Sequence, residues 1–149
     1  MSDPRERIET DLRTARKAGQ RERVATLGML LTAIDNERIR SGETVDDTAF
    51  ATLVQKAIKQ RKEASEQYRL GGSDDRAQGE EREAEILAAY LPEQVDEQEL
   101  RLAIHEIVEA GALSGPAGIG RVMGQMMARY RGRADGGTIN RLAREILGG

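Results

Sequence analysis

The 149-residue sequence predicts an all-α protein made of two small helical bundles, about four helices followed by three, joined at a proline-marked link. Apolar residues recur three and four positions apart along most of the chain, which is the helical period. No stretch alternates apolar and polar residues convincingly, so we expect no sheet. Pro92 interrupts the helical pattern, and we place the domain boundary there, with an N-terminal domain over 1–93 and a C-terminal domain over 94–149.

The first two helices have clear start and stop signals. Asp3 is the expected cap of the first helix, Pro4 occupies its first position, and Glu6 completes a capping box. Gly19 is the expected stop. A second helix is predicted over about 21–39, ended by the Ser-Gly pair that follows. The expected buried positions of these helices are Ile8, Leu12, Ala15, Val24, Leu27, Leu30, Leu31 and Ile34.

The third and fourth helices differ in apolar content. Thr44 and Asp47 look like the cap of the third helix, and the Gly-Gly-Ser sequence at 71–73 breaks it. The fourth helix is predicted over about 74–90, and its almost entirely polar first half is expected to be exposed and partly frayed. The apolar positions expected to anchor these helices are Phe50, Leu53, Val54, Ala57, Ile58, Ala64, Tyr68, Ile86, Leu87, Tyr90 and Leu91.

Three helices are predicted after the link. The fifth begins with a capping box of Asp96 and Glu99 and ends at Gly111. The sixth is opened by the Ser-Gly-Pro sequence at 114–116, and the seventh starts near Asp135. Their expected buried faces are Leu100, Ala103, Ile104, Ile107 and Val108, then Ile119, Val122, Met123, Met126, Met127 and Tyr130, then Ile139, Leu142, Ala143 and Ile146.

The composition excludes several kinds of site. The chain has no cysteine, so disulfides, thiolate metal sites and cysteine nucleophiles are ruled out. His105 is the one histidine, and no Walker-type loop or serine elbow is present. Three tyrosines and one phenylalanine are too few to build an aromatic platform for single-stranded nucleic acid. We therefore expect no catalytic residue, no metal and no cofactor.

Targeting signals are also missing from the sequence. No apolar run approaches the roughly 20 residues that a membrane helix needs. The N-terminal residues lack the apolar centre of a signal peptide. We therefore expect a cytoplasmic protein with no membrane partner.

The strongest candidate site is a basic segment near the C-terminus. Between Arg121 and Arg144 there are six arginines and one acid, Asp135, although the whole chain has a formal charge of -3. The turn after the sixth helix offers glycines for close backbone approach, guanidinium forks for phosphate, and amides at the start of the seventh helix. A plain helix-helix connection with solvated arginines is the alternative. The predicted RNA-binding residues are Arg129, Arg131, Gly132, Arg133, Asn140, Arg141 and Arg144.

Two further surfaces are weaker candidates. Lys56, Lys59 and Lys62 are three apart on the third helix and form an auxiliary basic face, for which a solvated, salt-bridged surface is the alternative. On the sixth helix, small residues at spacing four would let another helix approach closely, either within the bundle or from a partner. The residues of this predicted partner-helix face are Gly120, Gly124, Met123 and Met127.

Several sequence blocks resemble the GatB/YqeY family. The specific blocks lie in the C-terminal part of the chain, and weaker ones at 34–39 and 59–64 fit the free-standing YqeY members. The specific blocks are Y-L-P-E-Q at 90–94, G-R-V-M-G at 120–124, R-G-R-A-D-G at 131–136 and I-N-R-L-A-R-E-I-L at 139–147.

This resemblance implies a fold and a function. The C-terminal unit resembles the tail of the B subunit of glutamyl-/aspartyl-tRNA amidotransferase, a carbon-nitrogen ligase that uses glutamine as amido donor. The catalytic domains of that enzyme have no counterpart here. The resemblance therefore implies an all-helical, non-catalytic adaptor that binds tRNA, with no DNA specificity. The alternative is a protein-interaction module that docks onto an amidotransferase or an aminoacyl-tRNA synthetase.

Overall fold

The computed structural model describes residues 3–148, which form seven α-helices and one short 3-10 helix. No β-strand occurs among these residues, so the all-α prediction is confirmed. None of the described helices is long and apolar enough to cross a membrane. The helices are α1 (Pro4–Lys17), α2 (Arg21–Ser41), α3 (Asp47–Leu70), α4 (Asp74–Ala88), α5 (Glu97–Gly111), α6 (Ile119–Tyr130) and α7 (Gly136–Leu147), with the 3-10 helix Pro116–Gly118 before α6.

The chain divides into two compact units, Met1–Leu91 and Pro92–Gly149. Each unit has its own apolar core. The buried residues of the first core are Ile8, Leu12, Leu27, Leu30, Ile34, Val45, Phe50, Val54, Leu87 and Tyr90. Those of the second core are Leu100, Ala103, Ile104, Val122, Met126, Tyr130, Ala134, Ile139, Leu142 and Ala143.

In the first unit, α1 packs on α2 and α3 packs on α4, and α2 also contacts α3 and α4. The predicted start of α1 is confirmed, since the Asp3 carboxylate accepts a hydrogen bond from the Glu6 amide and Pro4 opens the helix. The predicted cap of α3 is wrong by two residues. Asp46 is the N-cap, and its carboxylate accepts from the Ala49 amide at 2.8 Å.

The polar first half of α4 is an ordered helix, contrary to the expectation of a frayed one. Ala77 is fully buried, and acidic residues of α4 pair with polar residues of α3. Glu81 accepts hydrogen bonds from Ser65 at 2.8 Å and from Arg69 at 2.6 Å. These contacts lower the pKa of Glu81, with Arg69 as the larger cause. Polar pairing between α3 and α4 therefore replaces the apolar stripe that the sequence lacks here.

An arginine lies at the centre of the contact between α3 and α4. Arg61 is 9% exposed, and its Nε donates to Glu83 at 3.2 Å. Its Nη2 lies 3.3 Å from the Met29 sulfur on α2. Partial burial, followed by the nearby charge of Glu83, raises the pKa of Glu80. The charged Arg61 is therefore enclosed between a carboxylate and the Met29 sulfur, and the carboxylate compensates its charge.

Candidate nucleic-acid interface

The candidate interface is built on α6, the turn after it and α7 in the second unit. Val122, Met126 and Tyr130 of α6 are buried, as are Ile139 and Leu142 of α7. These apolar positions follow the helical period, so each helix turns one face to the core and the opposite face outward. The outward faces carry the arginines of the segment.

The outward face of α6 combines arginines with exposed glycines. Arg121 and Arg129 are exposed, and Gly120 and Gly124 are exposed beside them. A Cβ atom added at Gly120 or Gly124 would meet nothing within 4 Å. Packing of these glycines within the bundle, one of the two alternatives from the sequence, is therefore wrong. The backbone of α6 is open to close approach along this face.

The two methionines of the predicted partner-helix face are placed differently from its glycines. Met123 and Met127 are half-buried and pack against the core of their own unit. The Met127 sulfur lies 3.7 Å from the position that a Cβ of Gly136 would occupy, at the start of α7. The methionines thus pack within the unit, whereas the glycines remain exposed.

Gly132 fixes the turn between α6 and α7. Its φ of 84° is a left-handed conformation that glycine adopts without strain, and the residue is buried. Its carbonyl accepts from Gln94 Nε2 at 2.9 Å, and the next carbonyl, of Arg133, accepts from the Val95 amide at 2.9 Å. The segment after Pro92 therefore covers one side of the turn, and Gly132 is not open to a ligand.

Two arginines flank the ring of Tyr130 at this turn. The guanidinium carbons of Arg129 and Arg133 lie 5.1 Å and 6.0 Å from the ring centroid. Such cation–π contacts restrict where the two guanidiniums lie. Arg133 also donates from Nε to the Glu93 carbonyl at 3.2 Å, which ties it to the covering segment.

The N-terminus of α7 does not provide the anion site that the sequence predicted. Asp135 is its N-cap, and its carboxylate accepts from the Thr138 amide at 3.0 Å. A carboxylate already satisfies the helix terminus there and would repel a phosphate.

The arginines of α7 are engaged by neighbouring side chains. Arg141 pairs with Glu97 of α5 at 2.5 Å and with Glu145 at 3.0 Å, and Arg101 binds the same Glu145 at 2.9 Å. Hydrogen bonds from Arg101 and then from Arg141 lower the pKa of Glu145. This network joins α5 to α7, so Arg141 already has a structural role.

Arg144 and Asn140 form a different kind of pair. The Arg144 Nε donates to the Asn140 Oδ1 at 2.8 Å, and Arg144 is exposed. This contact orients the guanidinium without neutralising its charge. Arg144 is therefore charged and available, in contrast to Arg141.

Three exposed arginines of α6 and of the turn after it have no acidic partner among residues 3–148, and we call them the unpaired arginine group: Arg121, Arg129 and Arg131. The RNA-binding prediction included Arg129 and Arg131 but omitted Arg121. Arg121 lies eight residues before Arg129 on α6, a spacing that places both on its outward side. That spacing could have identified it in the sequence.

The predicted auxiliary basic face lies on α3 of the first unit. Lys56, Lys59 and Lys62 are exposed, and none forms an ion pair with an acid in the described part of the chain. A solvated surface therefore stays the alternative for this face, and the charge of Lys56 also acts on Glu37 of α2. Glu63 and Glu66 are exposed on the same helix and reduce the net positive charge of this face.

Comparison with known proteins gives the chain a family. It is 26% identical over 145 residues to a protein of Pyrenophora tritici-repentis (strain Pt-1C-BFP) named Altered inheritance of mitochondria protein 41, mitochondrial. The alignment covers 95% of this chain and 80% of that protein's length. The Yqey-like protein family matches residues 5–147, nearly the whole sequence. The resemblance to this family that the sequence blocks indicated is thus confirmed, and the chain belongs to the YqeY-like protein family.

Proposed function

We propose that this protein is a non-catalytic adaptor that binds tRNA through the outward face of α6 and the turn after it. The observation that carries the proposal is the unpaired arginine group on a chain whose formal charge is -3. Many other arginines of the protein are paired with a carboxylate, as Arg40, Arg82 and Arg141 are. A cluster of unpaired guanidiniums on an acidic protein favours an anionic ligand at that place.

The exposed backbone of α6 favours a large ligand that carries phosphates, such as a nucleic acid. Gly120 and Gly124 leave two exposed positions of α6, one turn apart and close to Arg121, without a side chain. A nucleic-acid backbone could lie close to the helix while guanidiniums on either side contact its phosphates. Arg144, held by Asn140, adds a further cation on α7.

The recognition mode follows from the aromatic residues. Tyr130, the tyrosine at the interface, is 1% exposed, so its ring cannot stack on a base. Binding without stacking depends on phosphate and shape, which suits a folded, largely double-stranded RNA such as tRNA. The tRNA association implied by the family resemblance points to the same class of ligand.

The cellular compartment of the protein does not change the proposed ligand. The similar Pyrenophora protein is named as mitochondrial, whereas the sequence here predicts a cytoplasmic protein. Protein synthesis takes place in both compartments and uses tRNA in each. The cytoplasmic location therefore stays a prediction, and the proposed ligand is the same in either case.

Docking onto an amidotransferase or a synthetase is the second candidate function. The exposed Gly120 and Gly124 favour it, since small residues at spacing four let a partner helix approach closely. The charged Arg121 and Arg129 at the edges of that strip favour RNA instead, because an apolar partner helix would leave them uncompensated.

The test is a salt titration of tRNA binding. The variant Arg121→Gln/Arg129→Gln/Arg131→Gln removes the unpaired group, and Arg38→Gln/Arg40→Gln/Arg101→Gln removes the same charge from exposed ion pairs. We expect the wild type and the control to bind with a clear log-log slope, about 0.9 per phosphate contacted on a duplex. The first variant should bind weakly with a slope lower by about two to three. Equal losses in both variants would show a general charge effect and no site.

A further inference from the structure

The first unit carries a second concentration of positive charge, at the turn between α1 and α2. Five cations and one acid, Glu22, occur between Arg13 and Arg23. This density exceeds that of the segment around α6. Arg23 is half-buried and lies near the Tyr90 hydroxyl, so it belongs to the interior of the unit. We call the other four the α1–α2 cluster: Arg13, Arg16, Lys17 and Arg21.

The four side chains of the α1–α2 cluster are exposed, and within residues 3–148 none has a carboxylate partner. Arg13 donates to the Thr10 hydroxyl at 3.3 Å, a neutral acceptor that leaves its charge uncompensated. The one acid of the segment, Glu22, is already paired with Arg82 of α4 at 2.9 Å. The charge of the cluster is therefore not balanced locally.

The backbone brings the two halves of the cluster to one short turn. The Gln20 amide donates to the Ala15 carbonyl at 3.0 Å, and Gly19 has a φ of 68°. Arg16 and Lys17 end α1, and Arg21 begins α2 after only three intervening residues. The exposed cations are thus arranged on both sides of a tight, well-ordered hairpin.

Helix-end electrostatics account for only part of this arrangement. Cations in the last turn of α1 stabilise the negative end of its dipole. The charge of Arg21 is instead unfavourable for its helix, because Arg21 lies at the positive end of the α2 dipole. The N-cap residue there, Gln20, makes no side-chain hydrogen bond. The placement of Arg21 weakens the fold slightly and has no compensating contact, which is typical of residues kept for binding.

The chemistry of the turn favours RNA over a membrane surface. The residues between the two helices are Ala18, Gly19 and Gln20, so no large apolar side chain is available to insert among lipids. The apolar residues Ile8, Leu12 and Ala15 of α1 are buried in the core. Three of the four cations are arginines, whose forked donors suit phosphodiesters.

We infer that the α1–α2 turn is a second RNA-backbone site, through Arg13, Arg16, Lys17 and Arg21, with tRNA as its ligand. The inference rests on the proposed function for its ligand but not for its residues.

The experiment compares tRNA binding by the full chain and by the variant Arg16→Gln/Lys17→Gln/Arg21→Gln, with Arg38→Gln/Arg40→Gln/Arg101→Gln as the control of equal charge. All four positions of the cluster are exposed, and circular dichroism verifies that the variant stays folded. We expect the cluster variant to lose affinity and to show a slope lower by about two to three, at about 0.9 per phosphate. Binding equal to that of the control would overturn the inference.

The outcomes separate this inference from the proposed function. If only the unpaired arginine variant loses binding, the α6 site stands and the α1–α2 site is wrong. If only the cluster variant loses binding, RNA is bound through the first unit and the α6 site is wrong. A wild type that does not bind tRNA overturns both. Sedimentation with vesicles of phosphatidylserine and phosphatidylcholine that depends on the cluster, with tRNA binding unchanged, would also overturn the inference.

Discussion

At the scale of single residues, two buried tyrosines differ in the state of their hydroxyl groups. The Tyr90 hydroxyl donates to the Asp11 carboxylate at 2.6 Å, and its ring meets Phe50 edge-on at 6.3 Å. The Tyr130 hydroxyl is buried and has no hydrogen-bond partner within the described residues. The same substitution should therefore have opposite effects at the two positions.

We predict that Tyr90→Phe lowers the free energy of unfolding by about 1.5–3 kcal/mol, because a hydrogen bond to a charged group is lost. Tyr130→Phe should leave it unchanged or raise it by about 1 kcal/mol, because an unsatisfied buried hydroxyl is removed. Chemical denaturation of the two variants and the wild type measures both values. A destabilisation of similar size in both would contradict the assigned hydroxyl states.

Tyr90 also predicts a dependence of stability on alkaline pH. Burial, followed by the hydrogen bond and charge of Asp11, raises the pKa of Tyr90 to about 12 from 10.0. A raised pKa in the folded state means that the stabilisation is present below pH 10 and is lost as the pH rises through about 12. The stability difference between wild type and Tyr90→Phe should therefore shrink in this range, which denaturation at several pH values measures.

Glu80 should destabilise the fold at neutral pH, because the fold disfavours its charged form. Its raised pKa, caused first by burial and then by Glu83, means that stability falls as the pH rises through that pKa. Glu80→Gln should therefore raise the denaturation midpoint at pH 7, and the gain should vanish in acid, where Glu80 is protonated in both states. Glu85→Gln, on the exposed side of the same helix, is the control and should change little. A gain that persists at low pH would contradict the titration argument.

At the scale of elements, α6 departs from what helix stability alone would select. An exposed glycine in a helix costs about 1 kcal/mol relative to alanine. Neither Gly120 nor Gly124 has a positive φ or a neighbour that a methyl group would strike. The pair therefore lowers the stability of α6 without any packing reason in the unit.

The double variant Gly120→Ala/Gly124→Ala should raise the stability of the second unit by about 1–2 kcal/mol and weaken tRNA binding. The added methyl groups would hold the RNA backbone away from the helix. Thermal denaturation and the salt titration measure the two effects.

Gly28→Ala/Gly79→Ala is a matched control in the helices of the first unit, where an added Cβ finds no close contact. This control should gain stability without any change in binding. If the α6 variant gains stability and binds tRNA as tightly as the wild type, close approach of RNA to the α6 backbone is wrong.

Element starts were predictable where a local signal decides them. Asp3 with Pro4 and Asp96 with Glu99 mark helix starts, and Gly19 and Gly42 follow helix ends. All act through neighbouring backbone groups, so the sequence shows them directly. The order of α4 was not predictable in this way. Its acidic residues are stabilised by Ser65, Arg69 and Arg61 of another helix, which no local pattern indicates.

The candidate site was only partly predictable for the same reason. The cluster of arginines around α6 is visible in the sequence, but their partners are not. Arg141 is neutralised by Glu97, which lies 44 residues away, and Gly132 is covered by Gln94, 38 residues away. Such tertiary contacts decide which cations are available to a ligand. A count of charges along the chain locates the α1–α2 segment, but the pairing of Glu22 with Arg82, 60 residues away, is again a tertiary contact.

At the scale of the whole molecule, the two units are separate cores joined near Pro92. We predict that fragments 1–91 and 92–149 each fold when produced alone, with the second less stable because a small unit buries a smaller fraction of its surface. Thermal denaturation followed by circular dichroism measures this. A second fragment without a cooperative transition would show that its core is not sufficient.

Partner helices are close neighbours along the chain, since α1 packs on α2, α3 on α4 and α6 on α7 across short turns. Short loops cost little closure entropy, and domains rich in such contacts fold in microseconds to milliseconds. A ribosome adds roughly 5–20 residues per second, so synthesis of the second unit takes several seconds. The first unit should therefore reach its native core, with the α1–α2 turn in place, while the second is still being made.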